Sequence, residues 1–201
     1  MAEGDKPSSR ELKRLQTRER LMGAAIAEFT RTGVAAADIG AIVTAAGVAH
    51  GTFFFHFPTK EHVLLELERR EEERIAKQLA RFRSSRDDLA ATLSEAVRLV
   101  VNLERRLGSV LFKDFLALHF SPSRPPAEQG ESHPVIVEVA CEIERARTGG
   151  HVHSAVHPMH SAVFFLLGLY ALLTTTQDRP GRQEMLDDFL ASTLRSMGAG
   201  R

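Results

Sequence analysis

The chain has 201 residues, enough for one large domain or two small ones. Its 26 basic and 26 acidic residues give a formal net charge of zero, so no overall positive charge attracts it to nucleic acid. A single cysteine excludes an internal disulfide framework and fits a reducing compartment.

The first predicted helix runs from near Arg10 to Thr32 and is ended by Gly33. Residues 1–9 before it are polar, and we predict that they form a disordered tail. The buried stripe of the helix is marked by apolar residues at helical spacing: Leu21, Ala25 and Phe29. The segment has a modest local excess of basic residues. This excess suits a helix that faces phosphates, and an ordinary solvated helix face is the alternative.

The stretch from Asp38 to Phe57, DIGAIVTAAGVAHGTFFFHF, predicts two short helices joined by a tight turn. Asp38 is placed to cap the first helix, and Gly47 is expected to take the left-handed conformation that the turn requires. Core positions are predicted at Ile39, Ile42, Val43, Ala46, Val48, Phe53 and Phe57. This pattern predicts a helix-turn-helix whose second helix lies in the major groove of DNA.

The rest of the chain predicts further helices and no strands, so the fold class is all-α. A helix that is densely charged on its outer faces is predicted to follow Thr59, its N-cap, to about Phe82, and a proline-rich loop is expected from Ser121 to Pro134. The remaining helices are predicted at Asp87 to Leu107, Ser109 to Phe120, Val135 to Arg147, Pro158 to about Thr175, and Gln183 to Met197.

The segment from about Thr17 to Leu67 resembles the DNA-binding domain of the tetracycline-repressor (TetR) family of transcription regulators. The matching residues are Ala25, Phe29, Gly33, Ile42, Ala46-Gly47-Val48, Gly51-Thr52, His56-Phe57 and Lys60-Glu61. The resemblance implies an N-terminal three-helix DNA-binding domain, residues 10–60. It also implies a C-terminal helical domain for effector binding and dimerisation, residues 61–201.

The resemblance also implies which side chains meet DNA. By position, base edges would be contacted by His50, Gly51 and Thr52, with Phe55 close by, and the DNA backbone by Phe54, His56 and Lys60. Lys60 is the clearest phosphate contact, being a flexible cation at a helix N-terminus.

Two positions depart from the family pattern. Ala49 stands where the family usually has a serine, and Phe54 where it usually has a tyrosine. Each change removes a hydroxyl able to hydrogen-bond to phosphate, at a cost of about 1 kcal/mol per bond. We therefore expect weaker backbone anchoring than is usual in the family, compensated by the arginine-rich first helix or by His56.

The helix from Pro158 is apolar around almost its whole circumference, so it must be covered by its own domain or by a partner. Its apolar run, Ala162 to Thr174, is shorter than the roughly 20 residues of a membrane span, and no secretory leader is visible. We therefore expect a cytoplasmic protein with no membrane contact. The resemblance implies a homodimer through the final two helices, and a monomer core is the alternative.

A homodimer would hold its two reading helices one DNA turn, roughly 34 Å, apart on a palindromic double-stranded operator. The middle helices are then expected to house a mostly apolar pocket for an unidentified small-molecule effector. The candidate lining residues are Leu99, Leu103, Phe112, Phe115, His119, Cys141, Phe165 and Tyr170. Each is equally compatible with a filled core, and Cys141 is expected to be a buried, inert thiol.

Other functions find little support in the sequence. Four histidines cluster before the apolar helix, at positions 151, 153, 157 and 160, but no cysteine pair joins them, and we predict no metal or other cofactor. Phosphate-binding glycine loops, nucleophile elbows and paired Glu-x-x-His motifs are missing, so we predict no enzyme. The sequence favours a repressor released by its effector. The alternative is a helix-turn-helix dimer that binds DNA constitutively and acts through a protein partner.

Overall fold

A computed structural model describes residues 8–85, 88–119, 121, 133–177 and 179–199. The regular structure in these residues is entirely α-helical, which confirms the predicted class. The helices are α1 (Ser9–Thr32), α2 (Ile39–Ala46), α3 (His50–His56), α4 (Lys60–Ser84), α5 (Leu89–His119), α6 (Pro134–Thr148), α7 (Pro158–Thr175) and α8 (Arg182–Ser196). Residues 1–7 of the predicted tail and residues 122–132 of the predicted proline-rich loop lie outside the described residues.

The described chain divides into two compact units. The first contains the chain as far as Leu67 together with the part of α5 that begins at Val110, and the second contains Glu68–Ser109 and residues 133–199. Phe112 and Phe115, predicted to line the effector pocket, therefore belong to the first unit.

The start of α1 is fixed by reciprocal hydrogen bonds. The Ser8 hydroxyl accepts from the Glu11 backbone N–H at 3.2 Å, and the Glu11 carboxylate accepts from the Ser8 N–H at 2.7 Å. Such a capping box satisfies two N–H groups that the helix itself leaves open. It places the helix start at Ser9, so the last residue of the predicted tail is helical.

The end of α5 is tied to the turn after α1. The Asp114 carboxylate accepts from the backbone N–H of Val34 at 2.6 Å. Gly33, at φ 79°, permits this approach, since a Cβ there would lie 3.2 Å from the same carboxylate. The contact explains why the end of α5 forms one compact unit with α1.

Gly108 divides α5 into two helical segments. Its φ of 73° and ψ of 165° are not helical, and other residues rarely adopt this positive φ. The break coincides with the predicted boundary between the helix ending at Leu107 and the helix starting at Ser109.

In the second unit, α6 packs on α7 and α7 packs on α8. Gly168 of α7 makes room for an α8 ring, because a Cβ at this position would lie 2.7 Å from Phe189 Cε2. The rings of Phe165 and Phe189 are stacked, with centroids 5.6 Å apart. Glu104 joins α5 to the same region by accepting hydrogen bonds from Gln177 at 3.1 Å and from Arg182.

The structure corrects the predicted arrangement of charge on α4, which we expected on its outer faces. Glu68 and Glu71 are only 3% and 9% exposed. Burial raises the pKa of Glu71, but hydrogen bonds from Arg106 and Arg74 outweigh burial and lower it. The carboxylate is thus kept ionised by two guanidinium groups, at 2.7 Å each.

Cys141 is exposed, so the prediction that its thiol is buried was wrong. The inward face of α6 is formed by Val139, Ala140 and Ile143. Each helical residue advances about 100° around the axis, which turns Cys141 away from that face. The sequence neighbours of this cysteine are mostly apolar, but they do not bury its side chain.

Helix α7 is longer than the apolar run that we took as its core. With 18 residues, Pro158–Thr175 is the one helix in the described chain that is long and apolar enough to cross a membrane. A second candidate exists only if the bent pair α2 and α3 is counted as one span. The core helix of a soluble protein can be equally long and apolar. Its exposed positions include Phe164 and Leu167, which are 69% and 42% exposed.

Candidate nucleic-acid interface

Helices α2 and α3 have the geometry of a helix-turn-helix. They are bent by 94° relative to each other, within the range of about 90–120° known for this motif. Gly47 between them has φ 64° and ψ 43°, the left-handed conformation predicted for it. The Asp38 side chain accepts from the Gly40 N–H at 2.8 Å, so the predicted N-cap is also confirmed.

Two rings fix the orientation of α3. Phe53 and Phe57 are completely buried, and their centroids lie 6.0 Å apart. Burying such a ring contributes about 1.5–3 kcal/mol, so these two residues determine which face of this short helix points inward.

The opposite face of α3 carries most of the residues predicted to contact DNA. Phe55 and Phe54 are 73% and 48% exposed, and His50 and Gly51 are also exposed. Thr52 is half-buried, as is His56, so these two side chains have less accessible surface than their neighbours. The accessible face of α3 is therefore mainly aromatic.

Arg18 of α1 anchors the C-terminal end of α3, a role that the sequence analysis missed. One guanidinium N–H donates to the carbonyl oxygen of His56, and the guanidinium carbon lies 4.1 Å from the centre of the Phe57 ring. A second nitrogen lies 3.8 Å from a Glu66 carboxylate oxygen. A cation at a helix C-terminus satisfies an open carbonyl and interacts favourably with the helix dipole.

The sequence contained a signal for this role. Arg18 lies three residues before Leu21, on the buried stripe of α1, and not on the solvated side where a phosphate contact would lie. Arg31 of the same helix is paired with Glu28 at 2.8 Å. Part of the local excess of basic residues is therefore paired with groups of the protein itself.

Lys60 also has internal partners. Its ammonium group donates to the carbonyl oxygens of Ala35 at 2.9 Å and Ala37 at 3.2 Å. These bonds hold the segment between α1 and α2. An ammonium group has three N–H donors, so one is left for a phosphate.

His56 is held in its neutral form. Burial lowers its pKa below the usual 6.5, and the positive charges of Arg18 and Arg14 lower it further. At neutral pH its ring can therefore offer a hydrogen bond but no charge to the DNA backbone.

Ala49, where the family usually has serine, is the N-cap of α3 and makes no side-chain hydrogen bond. The residue contributes only its backbone carbonyl, which accepts from the Thr52 N–H at 2.9 Å. Capping of α3 is thus weaker than a serine would make it.

Most predicted effector-lining residues are buried, and they are divided between the two units. Leu99, Leu103, Phe165 and Tyr170 belong to the second unit, and Phe112 and Phe115 to the first. The side chain of His119 lies outside the described residues. Burial raises the pKa of the Tyr170 hydroxyl, and the nearby charges of Glu72 and Glu68 raise it further. The surroundings of Tyr170 are therefore more polar than we predicted.

A surface groove runs along α1 in the first unit and shares no residue with the predicted lining. Its residues all come from this one helix: Leu12, Lys13, Leu15, Gln16, Thr17, Glu19 and Arg20. An open groove on one helix flank does not enclose a small molecule as an effector pocket does.

Two of the four clustered histidines lie together at the start of α7. His157 and His160 have stacked rings with centroids 3.8 Å apart. No group of three histidine, cysteine or carboxylate side chains able to hold a metal ion occurs among the described residues.

Comparison with known proteins agrees with this geometry. Residues 21–67 match the family described as bacterial regulatory proteins, tetR family. No curated protein sequence matches the chain.

Solved structures share the fold over almost the whole chain. RolR in complex with resorcinol is 21% identical, with a TM-score of 0.67, and the match covers 94% of this chain and 91% of that one. The regulator FadR from Bacillus subtilis, in complex with stearoyl-CoA, is 13% identical, with a TM-score of 0.65 and coverage of 87% and 96%. A TetR transcriptional regulator from Streptomyces coelicolor is 19% identical, with a TM-score of 0.57 and coverage of 92% and 99%. Residues 21–67 therefore form a DNA-binding domain of the tetR family, and the chain has the all-α fold of that family's regulators.

Proposed function

We propose that the chain is a homodimeric transcription repressor that binds a palindromic operator and is released when a small effector binds its C-terminal part. It acts in the cytoplasm by binding, without catalysis or a cofactor. The observation that carries this proposal is the helix-turn-helix, whose α3 turns two buried rings inward and an accessible face outward.

The exposed apolar side of α7 supports the dimer. Phe164 and Leu167 lie on one side of this helix at a spacing of three residues, and a single chain leaves both accessible. A second copy that covered this side would bury two rings at a two-fold axis. Dimerisation would then set the spacing of the two α3 helices, which must match one DNA turn of roughly 34 Å.

An effector bound by the second unit would release the DNA by favouring a conformation with another spacing. RolR and FadR bind resorcinol and stearoyl-CoA respectively, which supports a small organic effector for this chain as well. We propose Leu99, Leu103, Phe165 and Tyr170 as lining residues. The effector would need apolar surface together with a polar group near Tyr170.

The test begins with selection of duplexes from a random library by the purified full chain. We expect a two-fold symmetric sequence, bound with an affinity that falls steeply as salt rises. A chain that retained no duplex would contradict the DNA-binding proposal.

Pools of small organic molecules, such as aromatic alcohols and acyl-coenzyme A thioesters, are then added to the complex. Release by one pool supports the repressor. If no pool changes either DNA affinity or thermal stability, the constitutive dimer that acts through a protein partner is favoured.

A further inference from the structure

The outward face of α3 carries Gly51 and Phe55, and we call the open space over Gly51, on the side of the helix where the Phe55 ring is exposed, the notch. These residues are four positions apart, so they lie on the same side of the helix. Gly51 is exposed, and a Cβ added to it would meet nothing within 4 Å. Phe55 is 73% exposed, with its ring edge-on to that of His56 at 5.2 Å between centroids. The glycine backbone is the floor of the notch, and the exposed aromatic ring stands on the same side of the helix.

The composition of α3 limits how this helix can read bases. Its seven residues, HGTFFFH, include no arginine, lysine, asparagine, glutamine, aspartate or glutamate. Arginine and lysine are the usual readers of guanine, and asparagine and glutamine those of adenine. Near the notch, the side chains of α3 able to form hydrogen bonds with a base are therefore His50, Thr52 and His56.

The remaining recognition chemistry on this face is apolar contact. In the major groove the only apolar group on a base edge is the 5-methyl group of thymine, which is also present in 5-methylcytosine. Placing such a methyl against the Phe55 ring, over Gly51, removes apolar surface of both partners from water. A flat ring with open space beside it suits this group.

We propose that the notch of Gly51 and Phe55 receives a pyrimidine 5-methyl group, which makes Phe55 a specificity-determining residue for 5-methylpyrimidines. The inference rests on the proposed DNA-binding function and adds the class of base that α3 prefers. Phe54, on the same helix, faces His50 at 5.8 Å between ring centroids and takes no part in the notch.

The test uses the duplex selected by the full chain, in which each thymine is replaced in turn by uracil, which lacks only the methyl group. We expect about fourfold weaker binding at the contacted position of each half-site, from the loss of one buried methyl. The same base pair is then replaced by a cytosine–guanine pair, with and without a 5-methyl group on the cytosine. The methylated duplex should bind more tightly than the unmethylated one by about the same factor.

Two variants connect this effect to the notch. Phe55→Ala should bind the thymine and uracil duplexes equally. Phe54→Ala removes a residue predicted to contact the DNA backbone, so it should weaken binding of both duplexes alike and keep the fourfold preference. Phe55 is mostly exposed, so its truncation should leave thermal stability nearly unchanged. Gly51→Ala fills the notch from its floor, so it should also abolish the preference while the more favourable helix propensity of alanine maintains stability.

Equal binding of the thymine and uracil duplexes by the wild-type chain would overturn the inference and leave the DNA-binding proposal standing. A preference that survives in Phe55→Ala would also overturn it. Failure of the wild-type chain to retain any selected duplex would instead reject the proposed function on which the inference rests.

Discussion

At the scale of single residues, Lys60 combines an internal role with a free donor. It braces the segment before α2 through two carbonyls and retains one N–H for a phosphate. Lys60→Ala should therefore lower affinity for all duplexes and reduce the slope of log affinity against log salt by about 0.9 per half-site. Fluorescence anisotropy at several salt concentrations measures this slope.

Lys77→Ala is the control, because it removes the same charge from an exposed position in the second unit, where the ammonium group lies 3.8 Å from Glu73. Its slope should equal that of the wild type. If Lys60→Ala weakened binding with an unchanged slope, Lys60 would act only as a brace.

His56 makes stability depend on pH. Its folded pKa lies below the value of 6.5 expected in the unfolded chain, so the unfolded state binds more protons between these two values. The free energy of unfolding should therefore fall as the pH drops below 6.5 and should show no loss from this residue above about pH 7.5.

Urea unfolding of the wild type and His56→Gln across this range checks the prediction, because the variant should lack that part of the decline. Identical pH profiles for the two proteins would show that His56 titrates alike in the folded and unfolded states.

At the scale of elements, α3 is too short to hold its own position. It has seven residues, and its N-cap makes no side-chain hydrogen bond. Two buried rings and the Arg18 contact to its last carbonyl orient it instead. The geometry of the reading helix therefore depends on α1.

Arg18→Ala should weaken DNA binding while leaving the salt slope unchanged, because Arg18 positions α3 and does not neutralise a phosphate. It should also speed amide hydrogen exchange in α3, where the end of the helix loses its anchor. Lys60→Ala removes the same charge but should reduce the salt slope. A slope reduced equally in both variants would assign Arg18 to the phosphates.

The sequence predicted these elements better than it predicted their surroundings. Helix periodicity, capping residues and turn glycines act locally. This explains why Asp38 and Gly47 were interpreted correctly and why the break in α5 lies at the predicted boundary between Leu107 and Ser109. The partners of Arg18 and Asp114 are distant in sequence, at separations of 38 and 80 residues. No local pattern encodes such pairings.

Burial was hardest to infer where residue type and helix face disagreed. Cys141 is apolar in sequence context but faces outward, and Glu71 is charged but buried between two arginines. The face of the helix that a neighbour covers decided both outcomes. The set of DNA-contacting residues follows from the family resemblance, whereas the notch on α3 became apparent only from exposure and the space beside Gly51.

At the scale of the whole molecule, function depends on the proposed dimer. Phe164→Glu should disrupt it, because each of two rings at the two-fold axis would contribute about 2 kcal/mol of burial. The loss of about 4 kcal/mol corresponds to a roughly thousandfold higher dimer dissociation constant. Sedimentation velocity over a range of protein concentrations measures the change.

Val137→Glu is the control, since Val137 is 42% exposed on α6 and should leave the dimer intact. Phe164→Glu should also reduce operator affinity, because each half-site is then bound alone. A variant that remains dimeric at low concentration would place the subunit interface elsewhere.

The solitary thiol on α6 has a practical consequence. Because the chain has one cysteine and its side chain is accessible, a spin label would attach at a single known site on α6, in a different unit from the reading helix. Two subunits would then carry one label each, and pulsed electron paramagnetic resonance would give a single inter-label distance. A change in that distance when an inducing compound is added would record the movement of one subunit relative to its mate, without any engineered cysteine.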